Sequence, residues 1–590
     1  MSTPGTFGCY LRCDLTTGTT DRIPIDDAVL ERVIGGVGLG VWLLEREAPV
    51  GVDPLAPEAP LIFAFSPLVG TPLTTSAKFA VVAKSPLTGF VTDALSSSHF
   101  AIEGKRFGID ALVIVGAAKE PSILVNGELE PTDLWGRAPD DVAAELRSRG
   151  RAAAIGVAGE NLVRYATISN DGRHAGRGGL GAVMGSKKLK AVVMRGGEPV
   201  PLADRDRVIA LAKDLSRRSF GPATAKYREL GTVANLLTFN RLSALPTRNF
   251  QASEFEGAEA LSSEALQPAR EKARRSCACC TIGCEHIYST RDGGEVRVEY
   301  ENMFALGPLC GVSDPDVVLA ASRRCDELGL DTISAGGTIA FAMECAERGY
   351  LGAFPDAPRF GDGPGLLRAL ESIVEGAVDP AAAPLGAWLA EGSRRMAARV
   401  GHDSIDFAPQ VKGLEIPGYE PRALQTMALG FAVGTRGADH NRSGAYEVDF
   451  SDRVDRTRGT PEGARLAVEA EDRAALFDAL ILCKFLRGVF DDPFAESAEL
   501  LGAVCGWSLD GAEMRARSAA IVEAKKRFNV REGWTPADDT LPARFLSSAT
   551  EGGPTLTRER LQGMIREYNV ARGWSDDGYP PESASQSGDS

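Results

Sequence analysis

Short apolar runs bounded by turn residues fill the first 200 positions, at 61–65, 79–82, 111–115, 122–125 and 191–194. Runs this short and this rich in Val, Ile and Phe predict strands. From about Arg205 the apolar positions recur instead at helical spacing, over 317–328, 336–347, 472–486 and 512–528, which predicts helices. Pro and Gly crowd residues 352–384, predicting an excursion from helix, and the acidic, Pro- and Ser-containing stretch after Gly573 predicts a fraying end. No repeat of fixed period runs through the chain. The expected class is α+β, with sheet first and helices after.

A chain of 590 residues is too long for one core, so three or four domains are expected. With 44% hydrophobic and 25% charged residues the composition is that of a folded protein. The formal charge of −15 excludes a dedicated nucleic-acid binder, which needs a basic face to replace phosphate counterions. No basic segment followed by an apolar stretch opens the chain, and no window is apolar enough to insert in a membrane, so a cytoplasmic protein is expected. Eleven cysteines are too sparse for a disulfide scaffold, yet four crowd into residues 277–284, and such clustering points to metal.

The run Gly35-Gly36-Val37-Gly38-Leu39-Gly40 suggests a dinucleotide loop, but its spacing is G-x-G-x-G and a helical pattern precedes it where a strand is required. A tight structural turn is the better reading. Cys277, Cys280 and Cys284 have C-x2-C-x3-C spacing, with Gly283 giving the freedom to wrap a small inorganic core. Two readings stay open: three ligands of a cubane cluster, or a Cys3His zinc site completed by His286. Cys279 reads as a bystander. Cys483 is a candidate fourth thiolate, although an isolated cysteine on an apolar helix is more often a small buried hydrophobe. Cys9, Cys13, Cys310, Cys325, Cys345 and Cys505 lack ligand-like spacing and read as structural.

In Cys325-Asp326-Glu-Leu-Gly329-Leu330-Asp331 a helix runs into a glycine suited to a left-handed cap, and Asp331 opens the next helix. Paired carboxylates around such a bend suit the planar N–H edge of a pterin, but helix caps of this composition are common. The form returns imperfectly in Asp478-Ala-Leu-Ile481-Leu482-Cys483, ending on the candidate fourth cysteine.

Two D-x-x-G-L-(D/C) segments with an upstream C-x2-C-x3-C resemble the signature of the tungsten-containing aldehyde:ferredoxin oxidoreductases. The resemblance runs over nearly the whole chain, through Val52-Asp-Pro-Leu, Lys84-Ser-Pro-Leu-Thr-Gly89, Ala158-Gly-Glu-Asn-Leu162, Asn170-Asp-Gly and Ala175-Gly-Arg-Gly-Gly-Leu-Gly-Ala-Val-Met-Gly-Ser-Lys187. It continues through Asp331-Thr-Ile-Ser334, Asn529-Val-Arg-Glu-Gly533 and Asp539-Thr-Leu-Pro542. It implies a β-rich pterin-supporting domain over 1–203, a helical domain over 204–412 carrying the cysteine loop and first bend, a helical domain over 413–573 carrying the second bend and Cys483, and a disordered tail over 574–590. It implies tungsten, less often molybdenum, held by two pyranopterins whose phosphates are bridged by Mg2+. Cys277, Cys280, Cys284 and Cys483 match the ligands of a [4Fe-4S] cluster. Asp326, Gly329, Leu330 and Asp331 match one pterin bend, with Asp478, Leu482 and Cys483 matching the other. Lys78, Leu95, Ser97, Ala175, Gly176, Arg177 and Gly178 fall in the remaining cofactor-binding segments. Glu301 and His440 match the pair placed beside the metal, a base for attacking water and a donor to an aldehyde oxygen. Read without the resemblance, Glu301 is a solvated helix-start residue and His440 a loop cap.

Several positions depart from the pattern. Lys78 replaces an arginine and so loses the planar fork. The stretch Ala94-Leu95-Ser96-Ser97-Ser98-His99 replaces an Asn-Ser-Gly-Gly loop whose carbonyls help hold magnesium, and its bulk predicts a shifted loop. Ile481 replaces the second bend's glycine and predicts a bend that is tighter packed or differently shaped. Ala320 and Arg323 occupy the E-x-x-H positions of an interfacial metal site, so a homodimer would have to form without it. The expected activity is reversible oxidation of an aldehyde to a carboxylate, with electrons passing through the cluster to ferredoxin or an iron-sulfur subunit. Two alternatives remain: the catalytic subunit of a benzoyl-CoA-reductase-like complex, and a non-catalytic metal-stabilised scaffold.

Overall fold

Leu61–Ala64, Lys78–Lys84, Val91–Ser97 and Ala111–Val115 are buried along almost their whole length because both faces of their sheet are covered. In the computed structural model, which describes residues 3–547, 549 and 553–581, they join a six-stranded sheet. Its order is Thr19–Pro24, Cys9–Asp14, Ala111–Val115, Leu61–Ala64, Lys78–Lys84, Val91–Ser97. Cys9–Asp14 and Ala111–Val115 pair in parallel and the other neighbours antiparallel. Side chains alternate between two cores. Ile62, Ala64, Ala80 and Val82 face helices Gly36–Glu47 and Pro461–Leu480. Leu61, Phe63, Phe79 and Val81 face a second six-stranded sheet, ordered Arg173–Ala175, Ile168–Asn170, Arg151–Ile155, Leu189–Met194, Ser122–Val125, Glu128–Pro131. Phe63, Phe79 and Phe100 pack together in that core, each burial contributing about 1.5–3 kcal/mol.

From Arg205 onward helices dominate, as the spacing predicts, around a separate core. Helix Thr332–Glu347 is buried at every position from Ile333 to Cys345, the mark of a helix enclosed on all sides. Asp331, whose carboxylate accepts from the Ile333 and Ser334 amides at 3.3 Å, caps it. A three-stranded sheet, Glu271–Arg275, Glu285–Ser289 and Glu295–Val298, flanks the cysteine loop and has no counterpart in the expected pattern. No described helix is long and apolar enough to cross a membrane.

Four expectations need correction. The excursion at 352–384 contains the 16-residue helix Gly363–Val378. Asp362 caps it and Pro364 sits in its first turn, where a missing N–H costs nothing, so these residues start a helix rather than break one. The helix expected over 472–486 ends at Leu480 and bends. Ala94–Ser97 form not a loop but the end of a strand, with Lys78 opposite Ser97, and Ser98 caps helix His99–Arg106 by accepting from the Phe100 amide at 3.1 Å. The expected tail begins ordered: Trp574 is 7% exposed and edge-on to Tyr568, and Tyr579 packs edge-on against Trp534. Residues 582–590 of that tail lie outside the described residues.

The glycine-rich run does form a turn. Gly35 and Gly36, with φ of 151° and 45°, separate helix Asp27–Val33 from helix Gly36–Glu47. A side chain on Gly36 would come within 2.6 Å of the Asp478 and Ala479 carbonyls, so the run seats the helix against the second bend.

Candidate active site

The two helix-end bends face one cavity of about 900 Å3, and their backbones match. In the first, Gly329 is left-handed (φ 78°, ψ 43°), and the Gly329 and Leu330 amides both donate to the Cys325 carbonyl at 2.9 and 2.8 Å. In the second, Ile481 is left-handed (φ 63°, ψ 33°), and the Ile481 and Leu482 amides both donate to the Phe477 carbonyl, the latter at 2.9 Å. The isoleucine therefore keeps the shape that glycine gives elsewhere, which overturns the expectation of a differently shaped bend and leaves that of tighter packing. Its side chain is fully buried against Gly36. A β-branched residue in this region is strained by about 1–2 kcal/mol.

Leu330, Asp326 and Asp331 line the cavity from the first bend, and Leu482 and Cys483 from the second. Asp326 is paired with His174 Nε2 at 3.1 Å, while His174 Nδ1 meets Ser169 Oγ at 2.7 Å. Lys78, Leu95, Ser97, Gly176 and Arg177 also reach the cavity. Ala175, Gly178, Gly329 and Asp478 do not face it. Gly178 and Gly329 sit where a side chain would strike Thr92 or the Gly156 backbone. Asp478 lies behind the wall, holding Arg442 at 3.1 Å and Lys484 at 2.9 Å, two cations that do face inward.

Cys277, Cys280, Cys284 and Cys483 line this same cavity. Burial raises the Cys280 thiol to about 11 and pushes Cys284 well above the ordinary thiol value, and the neighbouring Cys483 raises both further. The two segments are tied by a loop that sequence reading overlooked. Thr75 donates its amide to the Cys279 carbonyl at 2.6 Å and accepts from the Cys483 amide at 3.2 Å, while Thr74 Oγ1 accepts from the Thr281 amide at 3.0 Å. His286 is not in the cavity wall. It is 1% exposed, with Nδ1 held 3.2 Å from Glu271 and Gln267, which removes the Cys3His alternative. Arg173, also overlooked, donates to Cys277 Sγ at 3.0 Å and pairs with Glu299 at 2.5 Å and Glu285 at 3.2 Å.

Glu301 stands in the first turn of helix Tyr300–Leu306, with 18% of its side chain open and facing the cavity, not the bulk solvent of the plain reading. Oε2 accepts from the Gly418 amide at 3.0 Å. Oε1 has no hydrogen-bond partner and lies 3.6 Å from His440 Nδ1, which is equally unpartnered. Burial pushes the Glu301 carboxyl up to about 8, against the lowering effects of the Gly418 amide and Arg177. Burial likewise pulls His440 down to about 4, against the nearby Asp439 carboxylate. The imidazole is stacked on Tyr419 at 4.9 Å and flanked by Tyr446 at 6.0 Å. Asp439 caps helix His440–Ser443 and pairs with Arg436 at 2.6 Å; burial would raise its pKa, but Arg436 and Arg177 hold it below the usual carboxylate range.

Among the described residues no three His, Cys, Asp or Glu side chains are gathered tightly enough to hold a single ion, so the four sulfurs surround a space rather than a point. Nine Lys and Arg against six Asp and Glu line the wall, a cationic excess in a chain of net charge −15 that suits phosphate groups. Thr167 Oγ1 and Arg436 Nε, both buried at the wall, lack protein partners. Soft sulfurs for a cluster, paired bends and a wall with a cationic excess and two unpartnered polar atoms together fit a phosphorylated pterin beside an iron-sulfur cluster. Arg323, at an E-x-x-H position, is engaged by Glu327 at 2.8 Å and Asp292 at 3.1 Å.

Family models described as the N-terminal domain and as domains 2 and 3 of aldehyde ferredoxin oxidoreductase match residues 10–196 and 211–587. The tungsten-containing aldehyde ferredoxin oxidoreductase of Pyrococcus furiosus is 35% identical, covering 98% of both chains. That of Thermococcus kodakarensis is 36% identical, covering 99% of both. The solved active site complex BamBC of benzoyl coenzyme A reductase, in complex with 1,5 dienoyl-CoA, has a similar fold, with a TM-score of 0.83 and 24% identity over 98% of this chain and 96% of that one. Matched from end to end by these models and relatives, the chain belongs to the aldehyde ferredoxin oxidoreductase family of oxidoreductase enzymes.

Proposed function

We propose that this protein oxidises an aldehyde and water to a carboxylate, reversibly, with Glu301 as the base and His440 as the donor to the aldehyde oxygen. The observation that carries the reading is the unpartnered Glu301 Oε1 and His440 Nδ1, 3.6 Å apart on the wall of the cavity that both bends and all four thiols share. The overall change is RCHO + H2O → RCOO− + 3 H+ + 2 e−. Glu301, in the deprotonated fraction that its raised midpoint leaves at neutral pH, takes a proton from water as the oxygen attacks the carbonyl carbon. His440, neutral above about pH 4, donates a hydrogen bond without gaining a charge in a buried site. The Tyr419 face holds the imidazole plane, and the Gly418 amide leaves one Glu301 oxygen free.

The tungsten bis-pyranopterin centre, when bound, supplies a two-electron acceptor whose metal is held by the cofactor's own dithiolene sulfurs. Asp326, oriented by His174, with Leu330, Asp331, Leu482, Lys78, Leu95, Ser97, Gly176 and Arg177, would hold the pterins, and Mg2+ would bridge their phosphates. Cys277, Cys280, Cys284 and Cys483 would hold the [4Fe-4S] cluster, which would supply one-electron transfer to a ferredoxin-like acceptor. The test is anoxic purification, metal and pterin analysis, and aldehyde-dependent reduction of methyl viologen. Metal-replete protein inert toward every aldehyde tried contradicts the reading.

A further inference from the structure

We propose that the face formed by strand Glu271–Arg275 and the segment following helix Arg205–Ser219 is the docking surface for a small acidic iron-sulfur electron carrier. The inference rests on the proposed cluster ligands and names where their electrons leave. Cys279, between the ligand cysteines, is exposed, with a left-handed backbone (φ 51°). The strand that leads into this loop presents Lys272, Arg274 and Arg275, whose side chains are 42%, 54% and 60% exposed. Two contacts join the adjoining segment to the loop: Ser219 Oγ lies 2.7 Å from Thr281 Oγ1, and Arg274 Nη1 donates to the Arg228 carbonyl at 3.2 Å. Phe220, next in sequence, is 58% exposed, and the Arg228 guanidinium lies 4.2 Å from its ring centre.

Charged side chains on an edge strand commonly serve only to block edge-to-edge pairing. That role explains the strand but not the exposed phenylalanine or its arginine. An exposed aromatic inside a basic rim is the composition of a protein-binding patch, aromatic and Arg being enriched where partners dock. The ion pairs of Lys272 and Arg275 with Glu295 are long, at 3.8 and 3.6 Å, and exposed, so they cost little to exchange for a partner's carboxylates. The chain as a whole carries −15 and so repels an acidic carrier on average, and a local basic patch then favours one orientation of approach. A small charged patch suits a transient encounter rather than a permanent subunit. Each encounter moves one electron from the reduced cluster to the oxidised carrier, so two carriers are reduced per aldehyde oxidised.

The test compares wild-type holoenzyme with the K272E/R274E/R275E variant, using an acidic [4Fe-4S] ferredoxin and methyl viologen as alternative acceptors. The variant is expected to lose about tenfold or more in kcat/KM for ferredoxin and most of its salt dependence, while viologen reduction and the cluster's spectrum stay unchanged. Unchanged ferredoxin kinetics and salt dependence in the variant overturn the proposal. Hydrogen exchange on wild-type enzyme, with and without ferredoxin, supplies an arm independent of the variant's folding: protection is expected over 217–228 and 272–281, and protection confined elsewhere overturns the proposal. Failure of the proposed reaction is separable, because dithionite-reduced enzyme would still reduce ferredoxin through this face although no aldehyde did.

Discussion

Replacing Glu301 with glutamine removes a charge while keeping the shape and the Gly418 contact, and its effect should depend on pH in a way the structure specifies. Moving a carboxyl from its ordinary 4.5 to about 8 means that ionising it in place costs about 5 kcal/mol more than in water. The base is therefore mostly protonated at neutral pH. With a midpoint near 8, about one molecule in ten is competent at pH 7 and about one in a hundred at pH 6. The kcat/KM for aldehyde oxidation should rise about tenfold per pH unit up to about 8 and then level, with no second limb from His440, which titrates near 4. Glu301→Gln should lower kcat/KM on the plateau by about 10²–10⁴-fold. Stability should move the other way. The folded carboxyl keeps its proton between pH 4.5 and about 8 while the unfolded one has released it, so wild-type stability is lost as pH rises across that window and is constant above it. The glutamine variant escapes that loss and should match wild type near pH 4.5 but exceed it at pH 8.5, by at most about 5 kcal/mol. Stopped-flow viologen reduction and thermal unfolding of anoxic samples read both effects. A flat kcat/KM profile from pH 6 to 9, or a glutamine variant with more than about a tenth of wild-type activity, refutes the assignment.

Arg173→Gln removes the guanidinium that bonds Cys277 Sγ and should lower the cluster's midpoint potential by up to roughly 60–130 mV, the equivalent of a charged hydrogen bond, in an EPR-monitored redox titration; an unmoved potential contradicts a bonded thiolate. At position 481 the usual ranking of residues should invert. Ile481→Ala loses buried contacts yet keeps the left-handed strain, whereas Ile481→Gly loses the same contacts and sheds it, so glycine should be the more stable variant by about 1 kcal/mol in thermal unfolding, and the opposite order removes the strain argument. Cys279→Ser should keep full iron content and Cys483→Ser should not, and iron analysis giving equal values contradicts the proposed ligand set.

Strands Leu61–Ala64, Lys78–Lys84 and Ala111–Val115 were legible because both faces of the first sheet are buried, which leaves plain apolar runs in the sequence. Helix Gly363–Val378 was hidden because its Gly and Pro sit at its start, where the same residues that signal a break also begin a helix. The C-x2-C-x3-C loop could be read from spacing alone, but nothing local distinguishes Cys483 from a buried helix-end thiol. Its place is set by Thr75, 408 positions away, whose hydroxyl accepts a hydrogen bond from the Cys483 amide. Arg173 and His174 were missed for a similar reason: they adjoin a recognised segment, yet their partners Cys277 and Asp326 lie more than a hundred positions off. The unchanged shape of the bend at Ile481 was not legible because local propensity speaks against a left-handed isoleucine, whereas the paired amides on the Phe477 carbonyl and the packing on Gly36 impose it.

The most direct test of the account is elemental analysis with low-temperature EPR on protein purified without oxygen. Stoichiometric tungsten, about four irons per chain and a reduced-cubane signal that disappears in Cys483→Ser are the predicted result. One zinc per chain, with neither tungsten nor a signal on reduction, contradicts it.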